Sequence, residues 1–135
     1  MSKYLAKIIA NDQEGLQMIS ACISGSKVKV SDIKYLASNK VFLLSIERIK
    51  VENENEDKKV NSIARFDFID KVRSKNIDQS NQKTVLKLVG IDYLKNNDVY
   101  EINLIFNENA HIILTTETIE ARLEDQNEVQ KQWKY

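Results

Sequence analysis

Four basic residues, Arg65, Lys71, Arg73 and Lys75, are the side chains of this sequence best suited to recognition chemistry. Arg48, Arg65 and Arg73, three of the four arginines, fall in the central part of a chain that otherwise draws its positive charge from lysine. A guanidinium presents a planar fork that meets a carboxylate or phosphate through two hydrogen bonds. The odd-numbered spacing lets Arg65, Lys71, Arg73 and Lys75 share one strand face and bind an acidic peptide, a phosphorylated group or an RNA backbone. The same spacing also describes a solvated strand face whose charges pair with Asp67 and its neighbours. Spacing alone leaves both readings open.

Other reactive residue types stand apart from one another. His111 is the single histidine and lies early in an expected strand, so a metal site would need carboxylates or Cys22 from afar. Cys22 sits on the apolar side of an expected helix and reads as a small core residue, because no local Cys-His signature accompanies it. Asp67 and Asp70 can be imagined as a carboxylate pair, yet alternating charge on a wet strand face is the ordinary reason for such residues. There is no glycine-rich phosphate loop, no Gly-x-Ser-x-Gly elbow and no His-Glu-x-x-His pair. No catalytic residue, metal site or cofactor is therefore assigned. Trp133 and Tyr135 follow a polar segment and are expected to fold back on the domain's own sheet.

Composition narrows the partners. The 135 residues, with 42% hydrophobic and 30% charged side chains, suit one globular domain over residues 1–126 with a polar tail at 127–135. Twenty basic and twenty acidic residues cancel, so no overall field draws in nucleic acid or an anionic membrane. One cysteine fits a reducing cytoplasm. Residues 1–10 lack the apolar core of a signal peptide, and no run of about 18 apolar residues exists to insert in a membrane.

The elements expected to position these residues alternate in period. Residues 3–10 read as a strand, and Asn11 with Glu14 three residues on resembles a helix start. Leu16, Ile19 and Ile23 then place one apolar face on a helix over 12–24, with Gly25 at its C-terminal cap. From Lys27 the period becomes two. Val28, Val30, Ile33 and Tyr35 lead through the loop at residues 37–40 to an apolar run from Val41 to Ile49, and the two segments should pair antiparallel. Residues 52–59 hold almost nothing to bury and read as a mobile solvated loop. Strands follow over Ile63 to Val72 and Thr84 to Leu94. The clearest hairpin joins Tyr100–Phe106 to Ala110–Thr115 through Asn107-Glu108-Asn109. Thr116 reads as the cap of a last helix, with Glu117 in its first turn and Ile119 and Leu123 as its apolar stripe. The resulting class is α+β: a mainly antiparallel sheet of six to seven strands, a helix near each end, and a pleckstrin-homology-like roll as its architecture.

Read end to end, the chain resembles a small alphaproteobacterial family known as domain of unknown function 2948. The resembling segments are Asp12-Gln13-Glu14-Gly15-Leu16, Ile19-Ser20-Ala21, Asp32-Ile33-Lys34-Tyr35-Leu36, Arg65-Phe66-Asp67 and Val72-Arg73-Ser74. Leu104-Ile105-Phe106, Ile112-Ile113-Leu114 and Ile119 to Asp125 continue the match. Val51 stands where an aromatic residue is expected, and Asn76 where glycine is expected. The resemblance implies a compact bacterial cytoplasmic protein and brings no activity, cofactor or catalytic residue. The expectation is a non-enzymatic protein-binding or adaptor domain, with a protein partner or a second copy of itself. The alternative is a small-ligand or phosphate-binding domain that uses the basic strand.

Overall fold

Residues whose side chains alternate between core and water build most of this molecule, and a short helix closes what the strands leave open. The computed structural model describes residues 7–53 and 56–128. Its elements are β1 (Lys7–Ala10), α1 (Gln13–Ile23), β2 (Lys27–Lys29), a 3-10 turn (Val30–Asp32), β3 (Ile33–Leu36) and a second 3-10 turn (Ala37–Asn39). Then come β4 (Val41–Asn53), β5 (Glu56–Phe66), β6 (Ile69–Lys75), β7 (Val85–Asn96), β8 (Val99–Phe106), β9 (Ala110–Thr116) and β10 (Ala121–Glu128). Among the described residues the ten strands form one antiparallel open sheet in the order β1-β10-β5-β4-β2-β7-β8-β9-β6, with β3 added beside β4.

The sheet curls around one core, in which Phe42, Phe66, Phe106, Leu44, Leu104 and Leu114 are the bulky members. The helix lies where β2 has ended and the backbone of β7 needs partners. Ser20 Oγ accepts from Ile91 N at 2.8 Å, and Ser24 Oγ donates to Val89 O at 3.0 Å. These hydroxyls are one helical turn apart and serve the strand where its register with β8 shifts between Leu88 and Gly90. Asp12, not Asn11, is the helix N-cap, accepting from Gly15 N at 2.8 Å. Gly25 ends the helix at φ +89°, a left-handed conformation that an L side chain would strain.

Two strands not hydrogen-bonded to each other in the ladder, β3 and β6, approach at one end. Tyr35 Oη donates to Ile69 O at 2.7 Å, Ile69 N donates to Lys40 O at 2.8 Å, and Lys40 Nζ meets Asp70 Oδ1 at 2.9 Å. The hydrogen bond to Asp70, and then its charge, raise the Lys40 ammonium above its ordinary value of 10.5. A raised folded value means that this link contributes fully below the ordinary value and is lost as pH rises through the folded one. The urea midpoint of Asp70→Asn should therefore fall below that of the unaltered protein at neutral pH, with the gap closing above pH 10.5. A gap that stays constant to the top of that range would assign the effect to something other than the ion pair.

Three sequence expectations are corrected. The expected C-terminal helix, which was to close a pleckstrin-homology-like roll, is absent, and its residues enter the sheet as β10 between β1 and β5. Ile119, Ala121, Leu123 and Asp125 are all buried, an alternation of two that Ala and Asp conceal from an apolar pattern. Thr116 accepts from Thr118 N at 3.2 Å, turning the chain between β9 and β10 rather than capping a helix. Of residues 52–59, expected as a loop, the described residues 52–53 and 56–59 continue β4 and β5, with Val51 opposite Asp57 and Asn53 opposite Glu56. The expected strand over Ile63 to Val72 is two strands, because the chain breaks at Phe68 with φ +59° and leaves β5 for β6. With the 27–35 segment also divided by the 3-10 turn into β2 and β3, the strand count rises from the expected six or seven to ten. β10 also runs two residues past the expected domain edge at 126. Residues 1–6, Trp133 and Tyr135 lie outside the described residues.

Candidate functional site

The break at Phe68 divides the four basic residues. Lys71, Arg73 and Lys75 are exposed on one face of β6, opposite Thr115, Ile113 and His111 of β9. Arg73 Nη2 is held by Glu101 Oε2 at 2.7 Å, and among the described residues Lys71 and Lys75 have no ion pair. Arg65 stays behind on β5, bound to Asp67 through Nε and Oδ1 at 3.0 Å. It therefore belongs to a different surface.

That surface follows from strand register, since residues directly opposite in an antiparallel ladder share a face. Arg122 lies opposite Arg65, Leu43 lies on its other side, Lys34 follows Leu43, and Ile9 follows Arg122. Lys34 and Ile9 are exposed, while Leu43, Arg65 and Arg122 are half-buried; the intervening Leu44, Ala64 and Leu123 point into the core. Three cations and two apolar residues thus form one row across β3, β4, β5, β10 and β1. At ~4.8 Å between strands, Lys34 and Arg122 stand roughly 14 Å apart. Two like charges directly opposite disfavour the pairing by a few tenths of a kcal/mol to about 1 kcal/mol. Asp67 relieves Arg65, whereas Arg122 has no ion pair among the described residues. Sequence spacing could not reveal Arg122 and Lys34, which are 57 and 31 residues from Arg65; the period of two through 119–125 was the available signal for Arg122.

The remaining candidates have structural partners. Arg48 points inward to a buried pair with Asp125. Asp67 and Asp70 flank the break and hold Arg65 and Lys40 respectively, so they do not form a carboxylate dyad. His111 lies between Asn103 Oδ1 at 3.1 Å from Nδ1 and Asn109 Oδ1 at 3.2 Å from Nε2. Cys22 is a free thiol, half-buried against the core. No group of potential metal ligands forms among the described residues. A broad cleft of about 560 Å³ between β2 and β4 carries Lys27 and Lys29 beside Asp32 and Glu47, so its charges balance. No helix among the described residues is long and apolar enough to cross a membrane.

A family model described as "Protein of unknown function (DUF2948)" matches residues 6–134. No curated protein and no solved structure matches. Asn76, where glycine was expected, adopts φ +60° and donates from Nδ2 to Asn109 O at 2.8 Å. Asparagine is among the residues that tolerate this conformation, so the position keeps its left-handed backbone.

Proposed function

The chain belongs to the DUF2948 family, whose description assigns no activity, and from that premise we propose that it is a non-enzymatic protein-binding domain whose outer sheet face takes an acidic segment of a partner. The observation that carries this reading is the row Lys34, Leu43, Arg65, Arg122 and Ile9, in which two half-buried arginines oppose each other. An acidic extended segment laid across the strands would place carboxylates between the guanidiniums and apolar side chains on Leu43 and Ile9. Arginine forks surrounded by apolar area are the composition of interface hot spots. Such contacts are screened by salt over about 8–10 Å, so binding should weaken as salt is added.

The second reading, a phosphate-binding strand, has its support in Lys71 and Lys75 flanking Arg73 on β6. There the one arginine is paired with Glu101, whereas the outer row keeps Arg122 without an ion pair among the described residues beside the Asp67-paired Arg65. The two readings separate in one experiment. A fluorescein-labelled peptide of alternating Glu and Leu is titrated by anisotropy against the protein, Arg65→Glu/Arg122→Glu and Lys71→Glu/Lys75→Glu. The first double variant should bind at least about tenfold more weakly, and the second should match the unaltered protein. Equal binding by Arg65→Glu/Arg122→Glu rejects the outer face. Loss only in the β6 variant, with matching competition by inorganic phosphate, selects the second reading.

A further inference from the structure

We infer that the gap between β3 and β6 is a binding site for a small, neutral, largely apolar molecule that carries a hydrogen-bond acceptor. A cavity of about 320 Å³ opens there, within the range of small-ligand pockets. Its floor is the buried pair Phe42 and Ile112, and its walls include Ile33 from β3 and Val72 from β6. Among the described residues no charged side chain lines it. An ionised ligand there would have no counter-charge from the lining residues, which selects a neutral molecule.

The gap is bounded at both ends by hydrogen bonds between its two sides. Tyr35 Oη pins β3 to Ile69 at one end. At the other, Val30 N donates to Thr84 O at 2.9 Å and Ser31 N to Gln82 O at 3.1 Å, tying residues 76–84 to the turn before β3. The loop is braced internally as well: Ser80 donates to Asp78 Oδ1 through both N and Oγ, and Gln82 Nε2 donates to Gln79 O. Between these links the apolar wall residues offer surface on which a ligand gains dispersion contacts.

Polar groups gather at the mouth. Gln79 Nε2 donates to Ser74 Oγ at 2.9 Å, which leaves the Ser74 hydroxyl proton to donate outward. An uncharged acceptor, such as an ester or ketone oxygen, would meet that proton while its chain lies on Val72, Phe42 and Ile112. The cavity is too small for a helix or a second copy of the chain. It also lies on the core side of β6, whereas the proposed peptide face is the outer side of other strands, so the two sites fail or stand independently.

The test uses the neutral fluorophore 1-N-phenylnaphthylamine, with methyl octanoate and octanoate as competitors. A saturable rise in fluorescence is expected, with methyl octanoate displacing the probe at a concentration at least about tenfold below that of octanoate. Val72→Phe should fill the cavity and weaken probe binding at least about tenfold with an unchanged circular dichroism spectrum. Ile77→Phe, at the half-buried rim, is the second variant should the first not fold. Ser74→Ala should weaken methyl octanoate and leave the probe unaffected. No saturable rise, equal displacement by the anion, or full binding by a folded filling variant would overturn the inference.

Discussion

Replacing Asp125 by alanine should cost the fold about 3–5 kcal/mol, the largest stability change expected of a polar substitution in this protein. Asp125 and Arg48 carry side chains that are 0% and 8% exposed. The pair is bidentate: Arg48 Nε reaches Oδ1 at 3.0 Å and Nη2 reaches Oδ2 at 2.8 Å. Ser62 Oγ adds a 2.6 Å hydrogen bond to Oδ1 from the strand between them. Removing the carboxylate would leave the guanidinium buried beside Ser62 without its counter-charge, and that uncompensated ion is the source of the cost. The pair itself need not be net stabilising, because each ion has already lost its hydration. Arg48→Met/Asp125→Leu should therefore recover most of the loss and bind the acidic peptide normally, since Arg65 and Arg122 occupy the opposite face of the same strands. Urea denaturation measures both variants. A loss below 1 kcal/mol for Asp125→Ala would mean that water reaches Arg48 and the site is not dry.

Gly15→Ala should destabilise the protein by about 1–2 kcal/mol, although helix propensity alone favours alanine over glycine by about 0.8–1.0 kcal/mol. The opposing effect is steric. A Cβ at Gly15 would stand 2.8 Å from Ala10 Cβ and 2.9 Å from Ala10 Cα, closer than carbon atoms pack. Both neighbours belong to the end of β1, which is paired with Ala121 and cannot recede without lengthening that ladder. Overpacking of this kind costs about 1–3 kcal/mol, which exceeds the propensity gain over most of that range. A double-mutant cycle with Ala10→Gly isolates the contact: the pair should be less destabilised than the sum of the single changes, because one of the two overlaps disappears. Additive effects, or stabilisation by Gly15→Ala, would show that β1 yields to the helix.

Where the fold departs from the local sequence pattern, contacts between residues distant in the chain are the cause. Residues 119–125 read as a helix because Ile119 and Leu123 are four apart, and Asp125 becomes a core residue only through Arg48, 77 positions earlier, which neutralises it. The basic group lost Arg65 because Phe68 turns the chain with a positive φ that a phenylalanine does not advertise. Arg122 joined Arg65 only through a pairing across the sheet.

By itself the sequence determined what depends on neighbours along the chain: an α+β class, the α1 face with Leu16, Ile19 and Ile23, the Gly25 terminus, and the β3–β4 and β8–β9 hairpins, whose registers are set by short turns. Family membership was also legible, since it rests on ordered motifs. Tertiary structure decided the number and order of strands, the place of β10, the outer row of cations and the cavity between β3 and β6. Each of these joins residues distant in sequence, where long-range pairing and burial of charge outweigh the modest local preferences on which sequence reading relies.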